Sequence, residues 1–322
     1  MCSRSFFWRR FTAMAAAFAA LCSAIPAMAA SADAASCPPQ PAPPSRELMQ
    51  RAQQQATDRG FLWRISRDGR DSFLYGTIHA GRPEWFALGP KAEASLSRTG
   101  ALALEINVTD PAVAEALRGV MQGPVRSLPA ELMQSLRSAW ASECLPAAAL
   151  EQGAAEYHAT LLAVAQAQRQ GLFPLYGAES VLLMHSLRVQ RPVVGLESVQ
   201  TQLSALLARD DEEAATMVRE MLAELRRPEA VRGLERLARA WASRDLKDLE
   251  AYADWCDCLN TPTDRALFAR LVDGRNPGMA EAIERLHAEV SVFAAVGSLH
   301  MVGPQGLPAL LEARGFKVRR VF

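Results

Sequence analysis

Apolar and polar positions alternate at the two ends of this chain and follow a helical period through its middle. FLWRISRDGRDSFLYGTIH reads as two β-rich runs joined by a turn at Asp68-Gly69, a hairpin signal. PKAEASLSR reads as a short helix with Pro90 in its first turn. ALALEIN (Ala101–Asn107) is an apolar run suited to a buried strand, and Asp110-Pro111 opens the next helix. From there to about Ala288 the pattern is mostly helical. VQRPVVGLES (Val189–Ser198) breaks it once with a strand ending at Gly195-Leu196-Glu197. Near the C-terminus, SVFAAVGSLH reads as a buried strand, GLPALLEARG as a helix closed by Gly315, and FKVRRVF as a final strand. Strands at both ends of a helical middle predict an α/β (α+β) fold. Its central mixed β-sheet is built from N- and C-terminal strands, with a large helical region packed on it. The folded part is expected to be one domain over residues 47–322.

Composition narrows the function. The 322 residues are half hydrophobic, with 35 basic and 35 acidic side chains. No basic, aromatic-rich stripe suggests a nucleic-acid partner. The first residues, MCSRSFFWRR followed by FTAMAAAFAALCSAIPAMAA, have the charged and apolar parts of a signal peptide, with Ala27-Met28-Ala29 as its cleavage site. This predicts a signal peptide over 1–29, a Pro/Ala-rich linker over 30–46, and an exported protein, periplasmic or secreted, with no stable membrane anchor once cleaved. Cys37, Cys144, Cys256 and Cys258 remain, and in an oxidising compartment four cysteines allow two disulfides in three pairings. Direct pairing of Cys256 with Cys258 would close a very small ring, so each is expected to reach a distant partner, Cys37 or Cys144. Metal binding by C-x-C lacks a second closely spaced Cys or His pair. The oligomeric state is not readable.

The candidate chemistry lies in two similar frames, FLYGTIHAG and AAVGSLHMVG, which carry His79 and His300 out of only five histidines. Each follows an apolar strand, at the carboxyl end where α/β sheets hold ligands. Gly76 and Gly297, three residues upstream, permit close approach of backbone or substrate. Glu105 ends ALALE and Glu197 ends VVGLE. A carboxylate at the mouth of a buried strand must be paired, hydrated or metal-bound, although Glu197 could instead cap the helix after it. His158, His185 and His287 fall in helical stretches and read as surface or packing residues. Asn107-Val108-Thr109 matches a glycosylation sequon that reads as accidental beside the candidate site. The chain has no HExxH, nucleophile elbow, phosphate-binding loop or dinucleotide fingerprint, so no nucleotide cofactor is expected.

Together LYGTIHAG, LALEIN, VVGLESVQTQL, RN and FAAVGSLHMVGPQGLPALLEARGFKVRRV resemble the TraB/PrgY/GumN family, related to the animal Tiki proteins, over about Phe61 to Val321. The resemblance implies a fold similar to the erythromycin esterase/ChaN group and one pocket containing His79, His300 and Glu105. It places Glu197 in a GLE element and matches Arg275-Asn276 to the family's Arg-Asn pair. Two positions depart from the family pattern: Asn107 stands where an acid is frequent, removing a possible negative ligand, and Glu179 stands where Asp is favoured. Tiki-type members are described as metal-dependent proteases. The resemblance therefore implies a divalent ion (Mn, Co or Zn) held by His79, Glu105 and His300, with Arg275 stabilising an oxyanion and Asn276 orienting a peptide or small-molecule substrate. Esterase-like relatives imply a second route, in which a histidine activates water without metal. The expectation is an exported hydrolase, a metal-dependent peptidase. The alternative is a protein that binds or sequesters a peptide or small ligand and does no chemistry.

Overall fold

A computed structural model describes residues 37–256 and 258–322. The signal peptide expected over 1–29 and the start of the linker lie outside the described residues. The hairpin forms as expected from β1 (Phe61–Arg67) and β2 (Arg70–Thr77), with Arg67 opposite Arg70. Asp68 and Gly69, at φ 50° and 74°, supply the two positive φ values that a tight two-residue turn needs.

Four more strands complete the sheet: β3 (Ala101–Leu104), β4 (Val193–Gly195), β5 (Val292–Gly297) and β6 (Lys317–Arg320). Their order is β4-β3-β5-β2-β1-β6. β4, β3, β5 and β2 run parallel, and β1 is antiparallel to both β2 and β6, so the sheet is mixed. β5 lies inside the sheet between β3 and β2 and is buried on every residue, which is why VFAAVG has no polar alternation. β6 lies on an edge and exposes Lys317, Arg319 and Arg320, charges that discourage pairing with another chain.

This order decides where the site falls. Thr77, Leu104, Gly195 and Gly297 are the last residues of four parallel strands, with Thr77 opposite Gly297 and Leu104 opposite both Ala295 and Gly195. Whatever follows each strand emerges on the same rim. Two strands are shorter than the apolar pattern suggested. β3 stops before Glu105, and β5 gives way at Gly297 to a 3-10 turn, Ser298–Met301, that carries His300.

Helices α1 (Arg46–Gln54) and α2 (Pro90–Ser97) flank the hairpin. The helical middle holds α3 (Pro111–Gln122), α4 (Ala130–Ser142), α5 (Ala155–Arg169), α6 (Ala178–Arg188), α7 (Val199–Leu206), α8 (Asp211–Leu225) and α9 (Pro228–Ser243). The short α10 (Leu246–Glu250) and α11 (Tyr252–Trp255) follow, then α12 (Pro262–Leu271) and α13 (Asn276–Glu289), with α14 (Leu307–Ala313) before β6. The middle packs partly on itself: Leu136, Trp140, Leu162, Val218 and Leu222 form a small core of α4, α5 and α8 apart from the main one. Trp241 of α9 ties the middle to the sheet, its indole N–H donating to the Gly76 carbonyl at 2.9 Å. Among the described residues no helix is long and apolar enough to cross a membrane.

The disulfides differ from expectation. Cys37 pairs with Cys144, and Cys256 pairs with Cys258. After α11 the chain turns back so that the Cys258 amide meets the Cys256 sulfur at 3.1 Å, and their Cα atoms, 5.1 Å apart, are within bridging range. The tail therefore reaches the end of α4, not the WCDC segment. The Tyr176 hydroxyl holds the tail on its way by donating to the Ala42 carbonyl at 2.6 Å.

Candidate active site

His79 follows β2 by two residues, and 75% of its side-chain surface is open. Two loops lie side by side to position it. Gly81 and Phe173 exchange backbone hydrogen bonds, and the Ala178 amide donates to the Ile78 carbonyl at 2.9 Å. A Cβ at Gly177 would stand 2.2 Å from the His79 carbonyl oxygen, so this close approach requires glycine. The second loop delivers Glu179, in the first turn of α6, whose Oε1 lies 2.9 Å from His79 Nδ1. Thr77 Oγ1 donates to the same carboxylate.

Glu105 is the first residue after β3 and is buried. Its Oε1 accepts the Gly297 amide at 3.0 Å, and its Oε2 accepts Gln202 Nε2 at 3.2 Å and Arg275 Nη2. Glu197, whose amide donates to the Glu105 carbonyl at 3.0 Å, accepts Arg275 Nε at 3.2 Å and also meets Nη2. Glu197 does not cap α7; Ser198 does, accepting the Thr201 amide at 3.1 Å. Arg275 Nη1 donates to the Leu271 carbonyl at 2.9 Å. Its guanidinium is thus committed to two carboxylates and a carbonyl, so in this arrangement it holds buried charge and is not a free oxyanion donor.

His300 is 5% exposed, and its Nδ1 lies 2.6 Å from Asn276 Oδ1. Asn276, expected to orient substrate, is fully buried behind His300 and touches it instead. The common point of the site is Gly297. A Cβ there would meet Glu105 Oε1 at 3.4 Å, His300 Cδ2 at 3.5 Å and His79 Nε2 at 3.7 Å. Two imidazoles and a carboxylate therefore border one small recess that a methyl group would fill.

Environment separates the charges. Glu179 beside His79, through its charge and its hydrogen bond, pushes that imidazole up to about 9. Burial pushes His300 down to about 4 against the pull of Glu105. Burial alone would raise Glu105, but His79, His300, Arg275 and the Gly297 amide reverse this and hold it at about 2. Burial raises Glu197 in spite of Arg275. At neutral pH His79 carries a proton, His300 is neutral and Glu105 is ionised.

Once His79 gives up its Nε2 proton, the donor set suits a divalent ion: two imidazoles, an ionised carboxylate and a recess between them. Among the described residues no three His, Cys, Asp or Glu side chains already surround one point as they would an ion. Of the six sequence-predicted residues, His79, Glu105 and His300 border the recess, while Glu197, Arg275 and Asn276 lie behind them as partners. Glu179 and Gln202 were missed as members of the site. Glu179 had left a trace, as a position departing from the family pattern. Nothing local marked Gln202. His158 and His287 are buried packing residues bound to the Gln152 carbonyl and to Ser72. The sequon side chain is spent internally: Asn107 Nδ2 donates to the Val193 carbonyl, and its Oδ1 accepts the Thr109 amide.

A family model described as the TraB/PrgY/gumN family matches residues 61–320. No curated protein and no solved structure matches the chain.

Proposed function

The chain belongs to the TraB/PrgY/gumN family, and from that premise we propose that it is an exported hydrolase acting on peptide bonds. The observation that supports this is the convergence of His79, His300 and Glu105 around Gly297, where their surroundings drive the proton affinities of the two imidazoles in opposite directions. Paired groups whose environments drive their proton affinities apart divide acid from base. Neutral His300 accepts a proton from water as its oxygen adds to the carbonyl carbon of the scissile bond. Protonated His79, kept charged by Glu179, delivers a proton to the departing nitrogen. Ionised Glu105 orients the water, while Arg275 keeps that carboxylate charged. If a Mn, Co or Zn ion were held by His79, Glu105 and His300, both imidazoles would be neutral ligands instead of proton carriers, and the ion would supply carbonyl polarisation and water acidification in place of the histidine relay. Export is supported by the N-terminal sequence and by two disulfides, which persist outside reducing compartments.

The test is hydrolysis of a mixed peptide library by purified protein, with and without each of these metals, beside His79→Ala and His300→Ala. We expect cleavage by the wild type and at least a ~10³-fold loss in either variant, with circular dichroism unchanged. Metal content measured on the same samples reports whether an ion takes part. Peptide retained without cleavage under every metal condition would overturn the hydrolase and leave the sequestering reading.

A further inference from the structure

We propose that Asn276 is a positioning residue that decides which nitrogen of His300 carries hydrogen, and that the GPQG loop after His300 orients Asn276 for this purpose. The inference rests on His300 being a site residue.

The assignment follows from what each atom can do. Asn276 Nδ2 lies 2.7 Å from the backbone carbonyl oxygen of Gln305. A carbonyl only accepts, so the amide must present its NH₂ end there. Its Oδ1 is then the atom 2.6 Å from His300 Nδ1, and an amide oxygen also only accepts. Nδ1 must therefore donate, and in the neutral ring Nε2 keeps its lone pair. Asn276 is fully buried and His300 nearly so, so water cannot rescue the flipped amide, which would set its oxygen against the Gln305 carbonyl oxygen, two acceptors with no hydrogen between them.

The loop explains a motif that the acid–base chemistry leaves unused. Gln305 lies five residues beyond His300, and the chain must fold back sharply to bring its carbonyl to Asn276 at the start of α13. Gly303 adopts φ +77°, and a Cβ at Gly306 would stand 2.6 Å from the Val302 carbonyl oxygen. Both glycines are thus required by the return of the loop. Through Asn276, a backbone carbonyl fixes the side-chain tautomer that leaves the lone pair on Nε2, the ring atom bonded to the Cδ2 that borders the recess, as a proton acceptor or a metal ligand requires.

The test is a long-range ¹H–¹⁵N correlation of histidine-labelled, chelator-treated protein near neutral pH. His300 should show hydrogen on Nδ1 alone in the wild type, and should keep it there in Asn276→Asp, where the carboxylate accepts from Nδ1 and also favours a second hydrogen on Nε2. Asn276→Leu should move it wholly or partly to Nε2, with a fall in kcat of about 10–100-fold and little change in KM. Hydrogen on Nε2 in the wild type would overturn the proposal, whatever the variants do. So would an unchanged tautomer in folded Asn276→Leu. If the tautomer behaves as stated but His300→Ala keeps full activity, the lock stands and the assignment of His300 to the reaction fails.

Discussion

At the scale of single residues the site is a problem of charge and space, and Gly297 shows how narrow the tolerance is. Alanine at this position meets its neighbours at 3.4–3.7 Å, ordinary contact distances, so Gly297→Ala should fold with a melting temperature close to wild type. The added methyl occupies the recess itself. Turnover, or metal binding where it occurs, should fall at least ~10²-fold, a split that activity assays and thermal melts on one sample would reveal. Glu179 sets the other control. His79 has its folded pKa raised above the unfolded value, so its contribution to stability is complete below about 6.5 and is lost as pH rises through about 9. Glu179→Gln should bring the His79 titration, followed by NMR, back toward the ordinary histidine range and remove the alkaline arm of the stability profile. Glu105 works in the opposite direction, with stability present above about 4.5 and lost as pH falls toward 2.

At the scale of elements, the rim that carries the candidate site exists because four parallel strands end together and two loops are pressed against each other beside β2. The Gly177 contact is the tightest part of that arrangement. Gly177→Ala drives a Cβ into the His79 carbonyl, where backbone on both sides must shift. We expect a loss of about 1–3 kcal/mol in urea unfolding together with a displaced His79 resonance. Gly119→Ala is the matched control: nothing lies within 4 Å of its Cβ, it is inside α3, and helix propensity predicts about 0.5–1 kcal/mol of stabilisation. Much of this level was legible beforehand. The Asp68-Gly69 turn, Pro90 opening α2, Asp110 capping α3 and Gly315 closing α14 are local signals, and each acts where it stands. Strand ends were less legible. Whether Glu105 and Ser298 continue their strands depends on whether a neighbour extends beside them, which an apolar run does not encode.

At the scale of the whole molecule, the Cys37–Cys144 bridge fastens the N-terminal tail across the loop that carries Tyr176, two residues from the helix that presents Glu179. It spans a sequence separation of 107, for which loop-closure entropy gives about 4–5 kcal/mol. Cys256–Cys258, at a separation of 2, gives about 1–2 kcal/mol by the same argument. Cys37→Ser with Cys144→Ser should therefore lower the urea midpoint clearly more than Cys256→Ser with Cys258→Ser. Equal shifts would contradict the assigned pairing. The sequence expectation of two long-range bridges weighed ring size alone. It could not include the turn after α11, which brings Cys256 and Cys258 within bridging range.

Residue order alone determined the alternation of the end strands, the helical middle, and the placing of His79, Glu105 and His300 just past apolar runs. Those features depend on contacts within a few residues, so periodicity and turn chemistry report them. Tertiary structure decided the rest. It placed β5 between β3 and β2, set Arg275 between Glu105 and Glu197, gave His79 its partner Glu179, and put Asn276 behind His300 instead of before the substrate. Each partner comes from a distant element and is selected by strand order and by how far a side chain reaches after the sheet has formed. A buried charge accepts whichever complementary group the fold delivers, and the local sequence around that charge does not name it.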